Sequence, residues 1–185
     1  VLFRSKIKRD VRITTIYEGT SEIQQNIIYL YRWRTTIKTK GEFYRGIANE
    51  MRALSDLDSA KIIAQALEIL NDLIFFAHNN KLTRQQHIQF LLSDIITQTE
   101  VAVALAQKTA EHLHNGASDA AKLHSTLRIF VSETARLVSN KGLEIIVGNE
   151  TVNDETKKEY LEKLHNLDLV RSEQNIINEM DQILH

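Results

Sequence analysis

Cysteine and proline are both absent from this 185-residue chain, and glycine occurs only six times. Without cysteine there is no disulfide, iron–sulfur cluster, thiol nucleophile or cysteine-based zinc site. At a usual proline usage of about 5%, roughly nine would be expected. Proline inside a helix removes a donor and clashes with the preceding turn, so its absence predicts long unbroken helices. No run reaches the roughly 18 consecutive apolar residues of a membrane-spanning segment. The opening Val1-Leu2-Phe3-Arg4-Ser5-Lys6 is too short and too quickly charged for a signal peptide, and it lacks an initiating Met. A fragment of a longer, cytoplasmic protein is therefore expected. The seven histidines show no HExxH and no i,i+4 pairing, and His112 and His114 point to different helix faces. No metal site is expected.

What is present is 43% hydrophobic and 25% charged, ordinary for a globular protein and long enough to bury a core. Charge is uneven: residues 1–48 hold ten Lys/Arg against four Asp/Glu, and the rest hold 13 against 20. A basic segment suits phosphate, nucleic acid or an acidic neighbouring domain. Tyr31-Arg32-Trp33-Arg34, with Lys38 and Lys40, has the composition of a stacking and phosphate-contacting face. A helix packed by its aromatics and solvated by its cations explains the same residues, so no nucleic-acid partner is expected.

Apolar residues recur at helical spacing along the chain. Ser21 and Gln24 have the spacing of a capping box, opening a helix to about Ile37 that Gly41 ends or breaks. A short helix is expected over 42–54. Asp58 or Ser55 caps the next, which ends near Asn79-Asn80. Thr83 opens another that stops at Asn115-Gly116, and Ser118 caps the one after it, interrupted at Gly142. Asn153 or Asp154 starts a last long helix. The stretch Lys141-Gly142-Leu143-Glu144-Ile145-Ile146-Val147 reads as a broken helix buried in the bundle rather than a membrane-touching segment, since it has no aromatic and little positive charge. There is no internal repeat, no low-complexity tract and no useful β-alternation. The fold expected is all-α, an antiparallel bundle of about four long helices, preceded by a loop and one helix.

Chemistry concentrates at the N-terminal end. Glu18 and Gly19 form an expected tight turn just ahead of the Ser21 helix, and a carboxylate held by backbone there suits a general base. Taken alone, Glu18 reads better as a capping or surface carboxylate. Glu22, in the first helical turn, is explained by the helix dipole. The surrounding sixteen residues change the reading of Glu18.

Arg9-Asp10-Val11-Arg12-Ile13-Thr14-Thr15-Ile16-Tyr17-Glu18-Gly19-Thr20-Ser21-Glu22-Ile23-Gln24 resembles the catalytic signature of the acyl-CoA dehydrogenases, roughly Arg-Asp-x-(Arg/Lys)-Ile-x-x-Ile-Tyr-Glu-Gly-Thr-(Ser/Ala)-x-Ile-Gln. The likeness is specific but covers less than a tenth of the chain. It implies that Glu18 removes the proton α to the thioester carbonyl of an acyl-CoA while hydride passes from the β carbon to flavin N5, giving a trans-2-enoyl-CoA. It also implies that Gly19 contacts substrate, and that Thr20, Ser21 and Glu22 contact FAD, in keeping with a helix N-terminus near phosphates. Arg9, Asp10 and Arg12 would tie the loop to neighbouring structure. The implied partners are an electron-transfer flavoprotein or similar acceptor and a second copy in a homodimer.

The segment upstream departs from the family, which carries a Tyr-Pro-(Val/Ile)-Glu-like stretch and a Gly-rich flavin segment where Val1 to Ser5 stand here. Short members end soon after the Ser21 helix, whereas about 145 residues follow Gly41. That is similar to the very-long-chain type, with its appended helical domain. On this reading residues 1–40 end the catalytic helical domain and 41–185 form the appended bundle. In such enzymes the appendage serves dimer contacts or membrane association, although no residue here supports the latter. By itself the chain is expected neither to hold FAD nor to turn over. The rival reading is a non-catalytic helical interaction or dimerisation module that retains the motif.

Overall fold

The computed structural model describes residues 21–184, among which every regular element is helical. The order is α1 (Ser21–Lys38), α2 (Glu42–Ala53), α3 (Asp58–Asn79), a 3-10 turn (Leu82–Arg84), α4 (Gln86–His114), α5 (Ala120–Val147), α6 (Asp154–Leu164), α7 (Leu169–Glu173) and α8 (Ile176–Leu184). The all-α expectation holds.

Helix α3 buries 14 of its 22 residues, which makes it the central element rather than a surface helix with one apolar stripe. It packs against α2, α4 and α5. Leu67, Leu70, Leu73, Ile74 and Phe76 of α3 meet Leu92, Ile95 and Ile96 of α4 and Leu127, Val138, Ile145 and Ile146 of α5. Helix α1 lies on α4, while α6, α7 and α8 close over α5. By length and composition α4 could cross a membrane. Half of its most apolar stretch is nevertheless buried against its neighbours, which is where a core helix places it.

Two helix ends follow the left-handed cap geometry. At the first, Gly41 N–H donates to Thr36 O (2.8 Å) and Lys40 N–H to Ile37 O (3.1 Å). Lys40 (φ 53°) occupies the usual glycine position and Gly41 (φ 85°) follows it. At Gly116 (φ 64°) the cap forms as the Asn-Gly pair predicts, with Ala117 N–H donating to His112 O at 3.0 Å.

Five boundaries differ from the sequence reading. Thr83 lies in the 3-10 turn, pinned by buried Leu82, and α4 starts three residues later. Neither Asp58 nor Ser118 caps a helix. Leu57 and Asp119 hold the N-cap positions without side-chain bonds, because Asp58 is drawn to Arg171 (2.7 Å) and Asp119 to His112 (2.8 Å). Helix α5 runs through Gly142 unbroken: a Cβ there would lie 2.9 Å from Leu164 Cδ1, so the glycine admits α6 rather than ending α5. The last long helix is three short ones. Asn153 caps α6 by accepting from Thr156 N–H (2.8 Å), as expected. Asp168 then caps α7, and Asn175 (φ 64°) separates α7 from α8.

Candidate functional site

Of the five site residues read from the sequence, Glu18, Gly19 and Thr20 lie outside the described residues. Ser21 and Glu22 form the exposed first turn of α1. Ser21 and Glu22 depend for their position on the side chains that hold α1 in place.

Two carboxylates of α4 hold α1. Gln25 Nε2 donates to Asp94 Oδ1 at 2.7 Å, and Lys141 Nζ of α5 donates to Asp94 Oδ2 at 2.6 Å. Two helical turns further along α1, Arg32 Nη2 donates to Glu100 Oε2 at 2.6 Å, and Tyr44 of α2 donates to Glu100 Oε1 at 3.0 Å. Each carboxylate gives one oxygen to α1 and the other to a third helix. The bond to Glu100 raises the Arg32 pKa, and burial followed by the Glu100 charge raises that of Tyr44. These pairs are half-buried, where charge-assisted bonds are stronger than on an open surface.

The inner face of α1 is different in kind. Tyr29 is fully buried and stacks on Trp33 at 6.3 Å, and Trp33 meets His78 at 5.9 Å. Burial pushes the Tyr29 hydroxyl up to about 12. Asn26 Oδ1, Tyr29 OH, Trp33 Nε1 and Thr36 Oγ1 are buried without a hydrogen-bond partner among the described residues. The outer face exposes Ile23, Ile27 and Tyr31, and the last two border, with Val101, a shallow groove of about 460 Å³ between α1 and α4.

Elsewhere the surface has two polar clefts. One, of about 720 Å³, lies between α2, α3 and α6 and is lined by Arg45, Arg52, Glu68, Asn71, Asp72 and Lys163. The other, of about 470 Å³, brings Asp58, His124, Arg128 and Arg171 together. Their cations are held by local carboxylates: Arg52 by Glu68, Lys163 by Glu159, Arg128 by Glu179 and Arg171 by Asp58. Among the described residues no group of three or more His, Asp or Glu is placed to hold a metal ion. His87 and His112 pair with Glu144 and Asp119 (2.7 and 2.8 Å) at opposite ends of the α4–α5 hairpin.

The fit of a flavin nucleotide can be tested only at Ser21 and Glu22. A hydroxyl and a carboxylate in the first turn of a helix are residue types that suit the edge of such a site, where a helix N-terminus favours phosphate. The residues that grip α1 were not anticipated from the sequence. Their one signal was a carboxylate breaking an apolar stripe, as Asp94 does between Leu92 and Ile95.

The chain is therefore an all-α bundle that presents one helix N-terminus through paired carboxylate grips. The family described as acyl-CoA dehydrogenase, C-terminal domain, matches residues 51–166, more than half the chain. The chain belongs to that family. The matched span runs from the end of α2 to the loop after α6 and does not include residues 9–24. No curated protein and no solved structure matches the chain.

Proposed function

We propose that this chain is the part of an FAD-dependent acyl-CoA dehydrogenase that carries the catalytic base, with residues 41–185 as an appended bundle similar to that of the very-long-chain type. The observation that carries this reading is the independence of its two supports. The signature at residues 9–24 and the family match at 51–166 share no residue, yet both lead to the same family.

On this reading Glu18 takes the proton from the carbon α to the thioester carbonyl. That proton is very weakly acidic, so negative charge developing on the thioester oxygen needs a donor already in place, and the Glu18 backbone N–H is one. Gly19, lacking a side chain, admits the substrate close to the backbone. FAD, when bound, supplies the hydride acceptor for the β carbon. Ser21 and Glu22 border it at the α1 N-terminus, with Thr20 beside them. A general base works best with its pKa near the working pH, which an apolar acyl chain beside a carboxylate would favour. An electron-transfer flavoprotein or similar acceptor would reoxidise the cofactor, and the enzyme would act as a homodimer.

The test is anaerobic titration of the full-length flavoprotein with acyl-CoAs of increasing chain length, following the visible absorbance of the flavin. Bleaching in the parent and its loss in Glu18→Gln are expected, since the amide keeps the shape and removes the base. Bleaching of Glu18→Gln at the parent's rate, or a protein that binds no flavin, would refute the enzymatic reading and favour a helical interaction module.

A further inference from the structure

We infer that the groove between α1 and α4 is a docking surface for the catalytic helical domain of the same polypeptide, through a face apolar at one end and acidic at the other. The identity of that occupant rests on the enzymatic reading. The surface itself is built from described residues.

Helix α1 has two apolar sides. On the first, Tyr29 and Thr36 are fully buried and Ile28, Leu30, Trp33 and Ile37 pack on the core, so that side is complete. The second shows Ile23, Ile27 and Tyr31 to solvent. A helix apolar on both sides is one built to be covered on both. Ile27 and Tyr31 line the groove of about 460 Å³ with Val101 and Ala104 of α4. Arg32 and Glu100 on its wall neutralise each other at 2.6 Å. An apolar face covering the groove therefore strands no charge there.

The ends of the groove differ. Beyond Ile27 and Tyr31 the same stripe of α1 continues with Arg34 and Lys38, and on α4 Val101 and Ala104 are followed at the same spacing by Lys108. Gln25 meets Asp94 and Arg32 meets Glu100, so α1 and α4 run in the same direction. The three cations thus lie toward one end. All three are exposed, and none is in an ion pair among the described residues. Lys108 acts on Asp119, but that carboxylate is already bonded to His112 at 2.8 Å. Glu111, next on the α4 stripe, leaves this end with an excess of positive charge. The complementary face carries acidic residues here and apolar ones beside Ile27.

The covalent chain favours one occupant over the others. Arg9, where the signature begins, is twelve residues before Ser21, so it lies within about 40 Å of the start of α1 whatever path the chain takes. A domain tethered this closely meets the groove at about millimolar effective concentration, ahead of any free partner. A second copy would bring the same excess of positive charge to the contact. An anionic membrane is flat and suits cations spread along an apolar stripe, not collected at one end of a groove.

The experiment is thiol labelling of the full-length flavoprotein carrying Val101→Cys or Ile23→Cys, located by peptide mass, with Val170→Cys as the open control. Val101 is 47% and Val170 86% exposed in the bundle as described. Docking should slow labelling at 101 and 23 by about tenfold or more relative to 170. Adding Arg34→Glu with Lys38→Glu should restore most of the speed, as should raised salt. Benzoyl-phenylalanine in place of Tyr31 should cross-link to a peptide that precedes residue 1.

Labelling at 101 and 23 as fast as at 170, in a flavoprotein that acyl-CoA bleaches, overturns the docking and leaves the enzymatic reading standing. Protection that charge reversal and salt do not move overturns the acidic complement. Protection lost on about hundredfold dilution, or a cross-link to a second copy, makes the occupant another subunit and overturns the inference. Protection only with anionic vesicles overturns it in favour of a membrane. Protection in a full-length protein that holds no flavin overturns the identity of the occupant together with the enzymatic reading.

Discussion

Gly41 and Gly46 lie five residues apart, and the same substitution should act on them with opposite sign. Gly41 has φ 85°, where a side chain costs about 1–2 kcal/mol. A Cβ added there would also lie 2.7 Å from Arg45 Nη1 and 2.8 Å from Asn71 Oδ1. Arg45 is exposed and can swing away from Glu42 and from Lys40 O at little cost. Asn71 is 4% exposed in the central helix and cannot, which adds about 1–2 kcal/mol of overpacking. Gly41→Ala should therefore destabilise the chain by about 2–4 kcal/mol. At about 2–4 °C per kcal/mol for a chain of this size, the melting temperature should drop by about 4–16 °C. Gly46 is an exposed position inside α2 with nothing within 4 Å of a Cβ. There alanine gains about 0.5–1 kcal/mol of helix propensity, and melting should rise by about 1–4 °C. Thermal melts by far-UV circular dichroism, with a urea series for ΔG, measure both. Shifts of the same sign, or a Gly41→Ala melt within about 1 °C of the parent, would refute both the cap geometry and the close approach of α3 to the α1–α2 corner.

Tyr29→Phe should leave the fold intact and raise stability by about 1 kcal/mol or more, because it removes a hydroxyl that is buried without a partner among the described residues; a lower urea midpoint than the parent would mean the hydroxyl is bonded after all. Asp72→Asn should stabilise at neutral pH and not at acid pH. Burial, followed by the smaller effects of Glu68 and Glu159, raises the Asp72 pKa against the pull of Lys163 and Arg45. A raised carboxyl contributes stability below its unfolded pKa and loses it as pH rises through the folded value, so the ionised form is the costly one. Urea midpoints of parent and variant should differ at about pH 7 and converge by about pH 3, and a constant difference would point to packing instead.

Helix content was legible because period and punctuation agree. The apolar spacing of α3 and α4 and the Asn-Gly turn fix elements through local rules that need no knowledge of partners. The boundaries that differ did so where a side chain had a distant claim on it. Asp58 and Ser118 look like caps in sequence, but Asp58 pairs with Arg171, 113 residues away, and Asp119, which takes the cap position beside Ser118, pairs with His112. Gly142 has the form of a helix breaker, and only its place beneath Leu164 shows that a missing side chain can serve a crossing rather than a stop.

The site divides along the same line. Residues 9–24 are contiguous, so their likeness to a catalytic signature can be read directly. The grips on α1 join residues separated by 69, 68, 56 and 47 positions, and no spacing rule links them. A carboxylate inside the apolar stripe of a core helix was the available signal, because burying one is costly unless its oxygens are satisfied. Asp94 and Glu100 meet that condition by joining α1 to the matched bundle. The signature and the family match do not overlap in sequence, and α1, which carries the last four signature residues, packs on α4 of the matched bundle. Lys141 and Tyr44 reach the same two carboxylates from α5 and α2, so the polar contacts that seat α1 on α4 are themselves tied to the rest of the bundle.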